Sequence, residues 1–287
     1  MFVFIRLSWQ CLIILGCSLC LASEPATSPR NVILIIGDGM DDQQITIARN
    51  YLQGASGRLL IDELPVRAAV QVLTVNEDAP EQAVYVADSA NSATAMATGV
   101  VTSRGRIATS AQADQDLTTI IELAQAAGLS TGVVTTASVT DATPASFVAH
   151  ISKRYCQSPE LMVDGLAYGL YPVSCQHDTK ANGGLGSIAE QLAGSDVDVI
   201  LGGGLKYFQT NAEGEKSSVL QQAKNNGFEV ITQLGDVDSV SVDKKILGLF
   251  AASTMPIQWQ GEKGRVAEKP VKSWLNRINQ QWGEVVL

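Results

Sequence analysis

Predicted helices and strands alternate through the middle of this chain, with glycines between them. Residues 116–128 show the pattern of a helix with an aspartate N-cap and a glycine after its end, and a strand pattern follows at 131–136. The same order recurs in residues 187–192 with 197–201, and in residues 217–224 with 228–232. This alternation predicts an α/β fold with a mostly parallel central sheet and helices on both faces.

The apolar run at residues 31–36, Asn-Val-Ile-Leu-Ile-Ile, has no polar alternation, which is typical of a central strand covered on both faces. It ends at Gly37-Asp38-Gly39. Ligands of open α/β sheets bind beyond the carboxyl ends of the strands, so Asp38 is a candidate ligand for a hard or borderline cation. The alternative is an aspartate that only closes a tight turn.

Residues 1–23 resemble a signal peptide, with Arg6 before an apolar run and small residues at the end. A membrane anchor and a lipoprotein signal cleaved before Cys17 are the alternatives. We expect an exported protein of the periplasm or cell envelope, attached to a membrane only if it carries such an N-terminal lipid. Residues 24–30 are predicted to be a flexible lead-in, and residues 31–287 a single α/β domain.

The composition agrees with a folded domain and argues against a nucleic-acid partner. The 287 residues are 46% hydrophobic and 17% charged, which is enough for a substantial core. The formal net charge is −9, and the basic residues are scattered. An anionic ligand must therefore be attracted by local geometry against the overall field.

Cys156 and Cys175 are the two cysteines outside the targeting segment. An even pair in an exported chain suggests a disulfide. Two buried free thiols are the alternative.

Residues 86–99 contain Asp88-Ser89 followed by side chains that are nearly all small. This pattern predicts a closely packed helix with Ser89 in its first turn, where free N–H groups favour an anion beside the hydroxyl. Ser89 is either an N-cap or a nucleophile. With two histidines in the chain, metal activation is a more natural route than a Ser-His-Asp triad.

A third polar group follows the strand predicted to end near residue 136. Asp141 and Thr143 lie two residues apart, so in an extended segment both side chains could reach one ion. Arg154 has the planar fork that suits phosphate oxygens. An ordinary loop and a surface arginine are the alternatives.

Together these motifs resemble the alkaline phosphatases in order and spacing. The matching segments are Gly-Asp-Gly-Met at 37–40, Asp-Ser-Ala at 88–90, Thr-Asp-Ala-Thr-Pro at 140–144 and Val-Ala-His-Ile-Ser-Lys-Arg at 148–154. The resemblance extends over about residues 31–270. It implies metal-dependent hydrolysis of small phosphate monoesters through a phosphoserine at Ser89, with two zinc ions and one magnesium ion as cofactors.

The resemblance also assigns roles to single residues. Asp38 resembles the carboxylate between a zinc and the magnesium, Thr143 a magnesium ligand, and Asp141 a group that holds water on the magnesium. Arg154 resembles the arginine that binds two phosphate oxygens, and Asp88 its carboxylate partner. Cys156 and Cys175 are placed similarly to a disulfide of bacterial members, and His150 resembles a structural residue. Members are often dimers, so a homodimer is an expected assembly.

One departure from the family is serious, because nothing in the sequence matches the later segment that supplies most zinc ligands. We therefore expect poor folding and negligible turnover of the chain as written. A catalytically inactive fragment is one alternative function. A related sulfatase or phosphodiesterase is another.

Overall fold

The computed structural model describes residues 31–167, 169–241 and 243–256. The predicted signal peptide and lead-in lie outside these residues. The α-helices are α1 (Asp42–Gln53), α2 (Ser89–Thr98), α3 (Ile120–Ala126), α4 (Ala142–Ala145), α5 (Leu161–Asp164), α6 (Ile188–Gly194), α7 (Leu205–Phe208) and α8 (Val219–Asn225). The strands are β1 (Thr74–Val75), β2 (Ala83–Val84), β3 (Gly132–Ser138), β4 (Gly165–Ala167), β5 (Tyr171–Val173), β6 (Val199–Gly203), β7 (Phe228–Ile231) and β8 (Lys245–Leu249). Short 3-10 helices cover Leu60–Glu63, Gln176–Asp178, Lys180–Asn182 and Leu234–Ser239.

The central sheet has four parallel strands in the order β3-β6-β8-β7. The predicted parallel sheet is confirmed, and three of its strands lie where the helix–strand alternation places them. The sequence pattern missed β8, which lies in the interior of the sheet between β6 and β7. Two antiparallel pairs, β1 with β2 and β4 with β5, stand apart from this sheet.

The interior strand β6 is buried along its whole length. Its side chains alternate between two cores, as the period of a strand requires. Ile200 packs in the larger core, which includes residues of α6 and α8. Val199 and Leu201 pack on the opposite face, where Val237 of the 3-10 helix Leu234–Ser239 covers them. Helical segments therefore cover both faces of the sheet.

Helix α3 begins later than the sequence suggests. The predicted N-cap was Asp116, but the N-cap is Thr119, whose hydroxyl accepts from the Glu122 N–H at 3.2 Å while Glu122 Oε2 accepts from the Thr119 N–H at 2.7 Å. This reciprocal box satisfies two backbone donors at the helix start. Asp116 instead pairs with Thr109 in an isolated antiparallel bridge.

Residues 31–35 belong to a different unit from the one that begins at Ile36. The expected central strand at residues 31–36 is not found, since these residues carry no strand assignment, and Val32 and Ile35 are 84% and 79% exposed. A strand exists only through hydrogen bonds to a neighbouring strand, and the described part of the chain provides none for this run.

The carboxyl end of β3 leads toward the polar residues of interest. Its register with β6 shifts between Val134 and Ser138, and the chain then turns into the segment that carries Asp141. Close backbone packing supports this end of the sheet, because a Cβ on Gly203 would lie 1.8 Å from the Ser253 carbonyl oxygen. Among the described residues, no helix has the length and hydropathy needed to cross a membrane.

Candidate active site

Helix α2 begins at Ser89, as the small-residue pattern predicts. Its N-cap is Asp88, and Gly99 ends the helix with a left-handed backbone. Ala90, Ala93 and Ala97 are buried, so the small side chains allow α2 to pack closely. Ser89 is half-buried and lies at the first helical position, where the backbone N–H groups have no partner within the helix. Among the residues that the structure describes, no hydrogen bond involves the Ser89 hydroxyl.

Asp88 connects the start of α2 to two other segments. Its Oδ1 accepts from the N–H of Asn91 at 3.1 Å and from the N–H of Gly105 at 3.2 Å. Its Oδ2 accepts from Arg154 Nη1 at 3.3 Å. The residue that caps the helix of Ser89 is therefore also a partner of the arginine.

Arg154 lies between two carboxylates. Its Nη1 faces Asp88, and its Nη2 donates to Asp141 Oδ1 at 2.8 Å. The side chain is 18% exposed. Burial lowers the pKa of Arg154, but the charges of Asp141 and Asp88 and the hydrogen bonds to them more than offset this, so the pKa is raised overall. The guanidinium is therefore charged and held in one orientation.

Asp141 and Thr143 belong to a helix start and not to the extended segment that the sequence suggested. Asp141 is the N-cap of α4, and its Oδ1 accepts from the Ala142 N–H at 2.7 Å. Thr143 lies in the first turn, and its hydroxyl donates to Asp38 Oδ2 at 2.9 Å. The predicted extended segment is wrong because aspartate is a preferred N-cap residue, which favours a helix start at this position. The fold thus brings Asp38 and Thr143 into contact across 105 residues of sequence.

The arrangement agrees with the family resemblance over the same part of the chain. A sequence model of the alkaline phosphatase family matches residues 29–271, close to the predicted range of 31–270. This chain belongs to the alkaline phosphatase family.

Curated and solved relatives agree with this membership. The streptomycin-6-phosphate phosphatase of Streptomyces griseus is 41% identical over 274 residues, which cover 91% of this chain and 58% of that protein. The alkaline phosphatase of Escherichia coli K12 is 40% identical over 250 residues, which cover 85% of this chain and 50% of that protein. The alkaline phosphatase structure from the Antarctic bacterium TAB5 matches with a TM-score of 0.65 and 28% identity, over 89% of this chain and 62% of that one. The chain therefore spans about half the length of the curated relatives that it matches.

Two oxygen donors of this family member are of the kind that magnesium binds. The Asp38 carboxylate is exposed, and the Thr143 hydroxyl lies beside it. Carboxylate and hydroxyl oxygens suit a hard cation, so this pair fits part of a magnesium site. Zinc usually takes about three or four histidine, cysteine or carboxylate ligands. The described ranges contain no group of three or more such side chains placed to hold a metal, so these residues do not form a zinc site by themselves.

The two histidines of this chain have different environments. The His150 ring is buried, with Nδ1 3.0 Å from the Ala108 carbonyl oxygen and Nε2 3.2 Å from Glu122 Oε1. His150 thus joins helix α3 to the loop at Ala108. His177 is exposed in the 3-10 helix Gln176–Asp178. In the described part of the chain, neither histidine is hydrogen-bonded to Ser89.

The expected disulfide is present. Cys156 and Cys175 are bonded, are 19 residues apart in sequence, and are both buried in the larger core. Cys156 follows Arg154 by two residues, so the bond anchors the segment that carries the arginine. The free-thiol alternative is therefore wrong.

The sequence reading missed Gly105 and its neighbour Arg106. Gly105 donates to Asp88 and accepts, at its carbonyl oxygen, from the Arg154 N–H at 2.7 Å. Its φ of +83° suits glycine. The sequence Arg-Gly-Arg at 104–106 signals a turn, but no local pattern shows that this turn meets residues 88 and 154.

Proposed function

We propose that this chain carries the nucleophile and the phosphate-binding arginine of an enzyme that hydrolyses phosphate monoesters through a phosphoserine at Ser89. The observation that carries the proposal is the position of Arg154, which contacts the N-cap residue of the helix that begins at Ser89. A cation is thereby fixed on the N-cap residue of that helix, and a cation and a helix N-terminus both favour an anionic substrate.

Phosphate binding falls to Arg154 in this proposal. A guanidinium can donate two parallel hydrogen bonds to two phosphate oxygens. In this structure Nη1 donates a hydrogen bond to Asp88, and Nη2 donates one to Asp141. A phosphate oxygen that binds Nη2 replaces or shares the contact to Asp141, whose side chain is 41% exposed.

Ser89 supplies the attacking oxygen. A bond forms from Ser89 Oγ to phosphorus while the bond from phosphorus to the ester oxygen breaks, and the alcohol leaves with the proton that the serine hydroxyl loses. Water then attacks phosphorus, releases inorganic phosphate and restores the hydroxyl. Bound divalent ions supply the Lewis acidity that lowers the pKa of a hydroxyl and offsets charge on phosphate oxygens. No side chain in the described ranges is hydrogen-bonded to Ser89 to act as a base.

Binding of phosphate without turnover is the second candidate function. The side chains available to bind metals favour this candidate. The described residues offer oxygen ligands for magnesium but no group of side chains that would bind zinc. This candidate keeps Arg154 in the same role and removes only the covalent step.

Export to the periplasm or envelope is part of the proposal. The bond between Cys156 and Cys175 supports it, because structural disulfides persist in oxidising compartments and are rare in the cytosol.

Trapping the phosphoserine tests the function. The chain is incubated with a phosphate monoester, zinc and magnesium, quenched in acid and digested, and the phosphorylated peptide is identified by mass spectrometry. Phosphate on Ser89, lost in Ser89→Ala and retained in Ser92→Ala, supports the proposal. Ser92 lies in the same helix and is half-buried like Ser89, which makes it a matched control.

Two other outcomes decide against the covalent role. Phosphate binding that depends on Arg154, with no phosphoserine, leaves the binding function and excludes the enzyme. Phosphoserine in Ser89→Ala would show that a different serine is the nucleophile.

A further inference from the structure

Gly105 is the shared backbone partner of the two residues that face each other at the candidate site. Its N–H donates to Asp88 Oδ1 at 3.2 Å, and its carbonyl oxygen accepts from the Arg154 N–H at 2.7 Å. Since Arg154 Nη1 also reaches Asp88 Oδ2, the three residues form a closed ring of contacts. A shift of Gly105 would therefore move both Asp88 and Arg154.

Arg106, the next residue, is fixed by an ion pair with Glu77. Its Nε donates to Glu77 Oε2 at 2.9 Å and its Nη2 to Glu77 Oε1 at 2.5 Å. Its Nη1 donates to Thr109 Oγ1 at 3.0 Å and to Asp114. The side chain is 5% exposed, so a cation is buried here with all three nitrogen groups in use.

Both members of the pair are charged near neutral pH. The hydrogen bond from Arg106 lowers the pKa of Glu77 to about 2. Burial lowers the pKa of Arg106, but Glu77 and Asp114 more than offset this, and the pKa is raised overall.

The backbone of Arg106 is tied to the helix of Ser89. Its carbonyl oxygen accepts from the Thr94 hydroxyl of α2 at 3.1 Å, and that hydroxyl accepts from the Ala108 N–H at 2.9 Å. The turn around Gly105 is thus held by Glu77 on one side and by α2 on the other. Its position relative to Asp88 follows from these two attachments.

We propose that the ion pair of Glu77 with Arg106 is a positioning element for the phosphate-binding guanidinium of Arg154, acting through Gly105. The pair touches no reacting atom. It fixes the turn that holds Asp88 and the backbone of Arg154, so it sets the orientation of the guanidinium before an anion arrives. The proposal rests on the proposed role of Arg154 in binding phosphate.

A double-mutant cycle with inorganic phosphate as the probe tests this coupling. Arg106→Met should raise the phosphate dissociation constant by about tenfold, as coupled residues within one network do, and should add little in an Arg154→Ala background. Arg106→Lys keeps the charge but not the two hydrogen bonds to Glu77. Its phosphate dissociation constant should lie between those of Arg106→Met and wild type. If Arg106→Met raises the phosphate dissociation constant equally in the wild-type and Arg154→Ala backgrounds, the proposal is overturned. An equal effect would mean a general loss of structure that does not act through Arg154.

A control and a milder variant guard against simple unfolding. Arg49→Met breaks another two-pronged ion pair, from Arg49 to Asp62 at 2.8 and 2.5 Å, and should leave phosphate binding unchanged. If Arg106→Met does not fold, Glu77→Gln removes the charge with little change of shape and takes its place in the cycle.

A second measurement separates this proposal from the proposed function. Hydrogen exchange at the Arg154 backbone N–H, which donates to the Gly105 carbonyl oxygen, is followed by ¹⁵N NMR without any phosphate and should be several-fold faster in Arg106→Met and unchanged in Arg49→Met. Unchanged exchange in Arg106→Met overturns the positioning role. If wild type and Arg154→Ala bind phosphate equally, the proposed function fails, while the exchange rates still decide whether the pair orients Arg154.

Discussion

Asp88 and Arg154 contact each other at 3.3 Å, and the same aspartate caps the helix that begins at Ser89. One carboxylate thus has two physical tasks, since Oδ1 stabilises the helix start and Oδ2 holds the guanidinium. The two tasks can be separated by substitution, because asparagine is as good an N-cap as aspartate but carries no charge.

Asp88→Ala should lower the free energy of unfolding by about 1 kcal/mol, the usual cost of losing a helix N-cap. Asp88→Asn should lose clearly less stability, because an amide oxygen can still accept from the Asn91 N–H. Its phosphate binding should nevertheless be weaker than that of wild type, because Arg154 loses a charged partner. Urea unfolding and phosphate titration measure the two effects. Equal loss of stability in both variants would show that the charge, and not the cap, is what stabilises α2.

The contact of Thr143 with Asp38 leads to a prediction about magnesium. Thr143→Val keeps the shape of the side chain but removes the hydroxyl that lies 2.9 Å from Asp38 Oδ2. We expect magnesium binding to weaken by about tenfold or more, in the range seen when supporting groups of metal sites are removed. Thr143→Ser keeps a hydroxyl and should bind like wild type. Calorimetric titration with magnesium measures this, and equal affinity of the valine variant and wild type would remove Thr143 from the proposed site.

Much of the fold can be predicted from local patterns in the sequence. Strand β6 is apolar throughout and ends in glycines, and α2 consists almost entirely of small side chains, so short segments indicate both elements. The apolar run at residues 31–36 shows the limit of this reasoning. Its composition suits a strand, but pairing depends on a neighbour that local sequence does not specify.

The candidate site was predicted in parts. Ser89, Arg154 and Asp38 belong to motifs with recognisable spacing, and the structure brings Asp38 to Thr143 and Arg154 to Asp88. Glu77 and Arg106 were not found, because they are 29 residues apart in segments with no periodic pattern. Contacts between loops depend on the tertiary fold, so residues that orient a site through a loop carry little signal in one sequence.

The ion pair of Glu77 with Arg106 also predicts how stability depends on pH. The hydrogen bond from Arg106 lowers the pKa of Glu77 from its ordinary 4.5 to about 2 in the folded chain. A group whose pKa is lowered on folding stabilises the fold above its unfolded pKa, and this contribution is lost as the pH falls through the folded value. The stabilisation from Glu77 should therefore be complete near neutral pH and should disappear between about pH 4.5 and pH 2.

Glu77→Gln tests this dependence, because glutamine resembles the protonated acid in size and hydrogen bonding. The variant should be less stable than wild type at pH 7, and the difference should shrink as the pH falls below about 4.5 and vanish below about pH 2, where the wild-type carboxylate is itself protonated. Urea unfolding at a series of pH values measures the difference. Glu81→Gln is the control, since Glu81 is exposed and makes no ion pair in the described ranges. A stability difference for Glu77→Gln that stays constant from pH 7 to pH 2 would mean that shape, and not charge, holds Glu77 against Arg106.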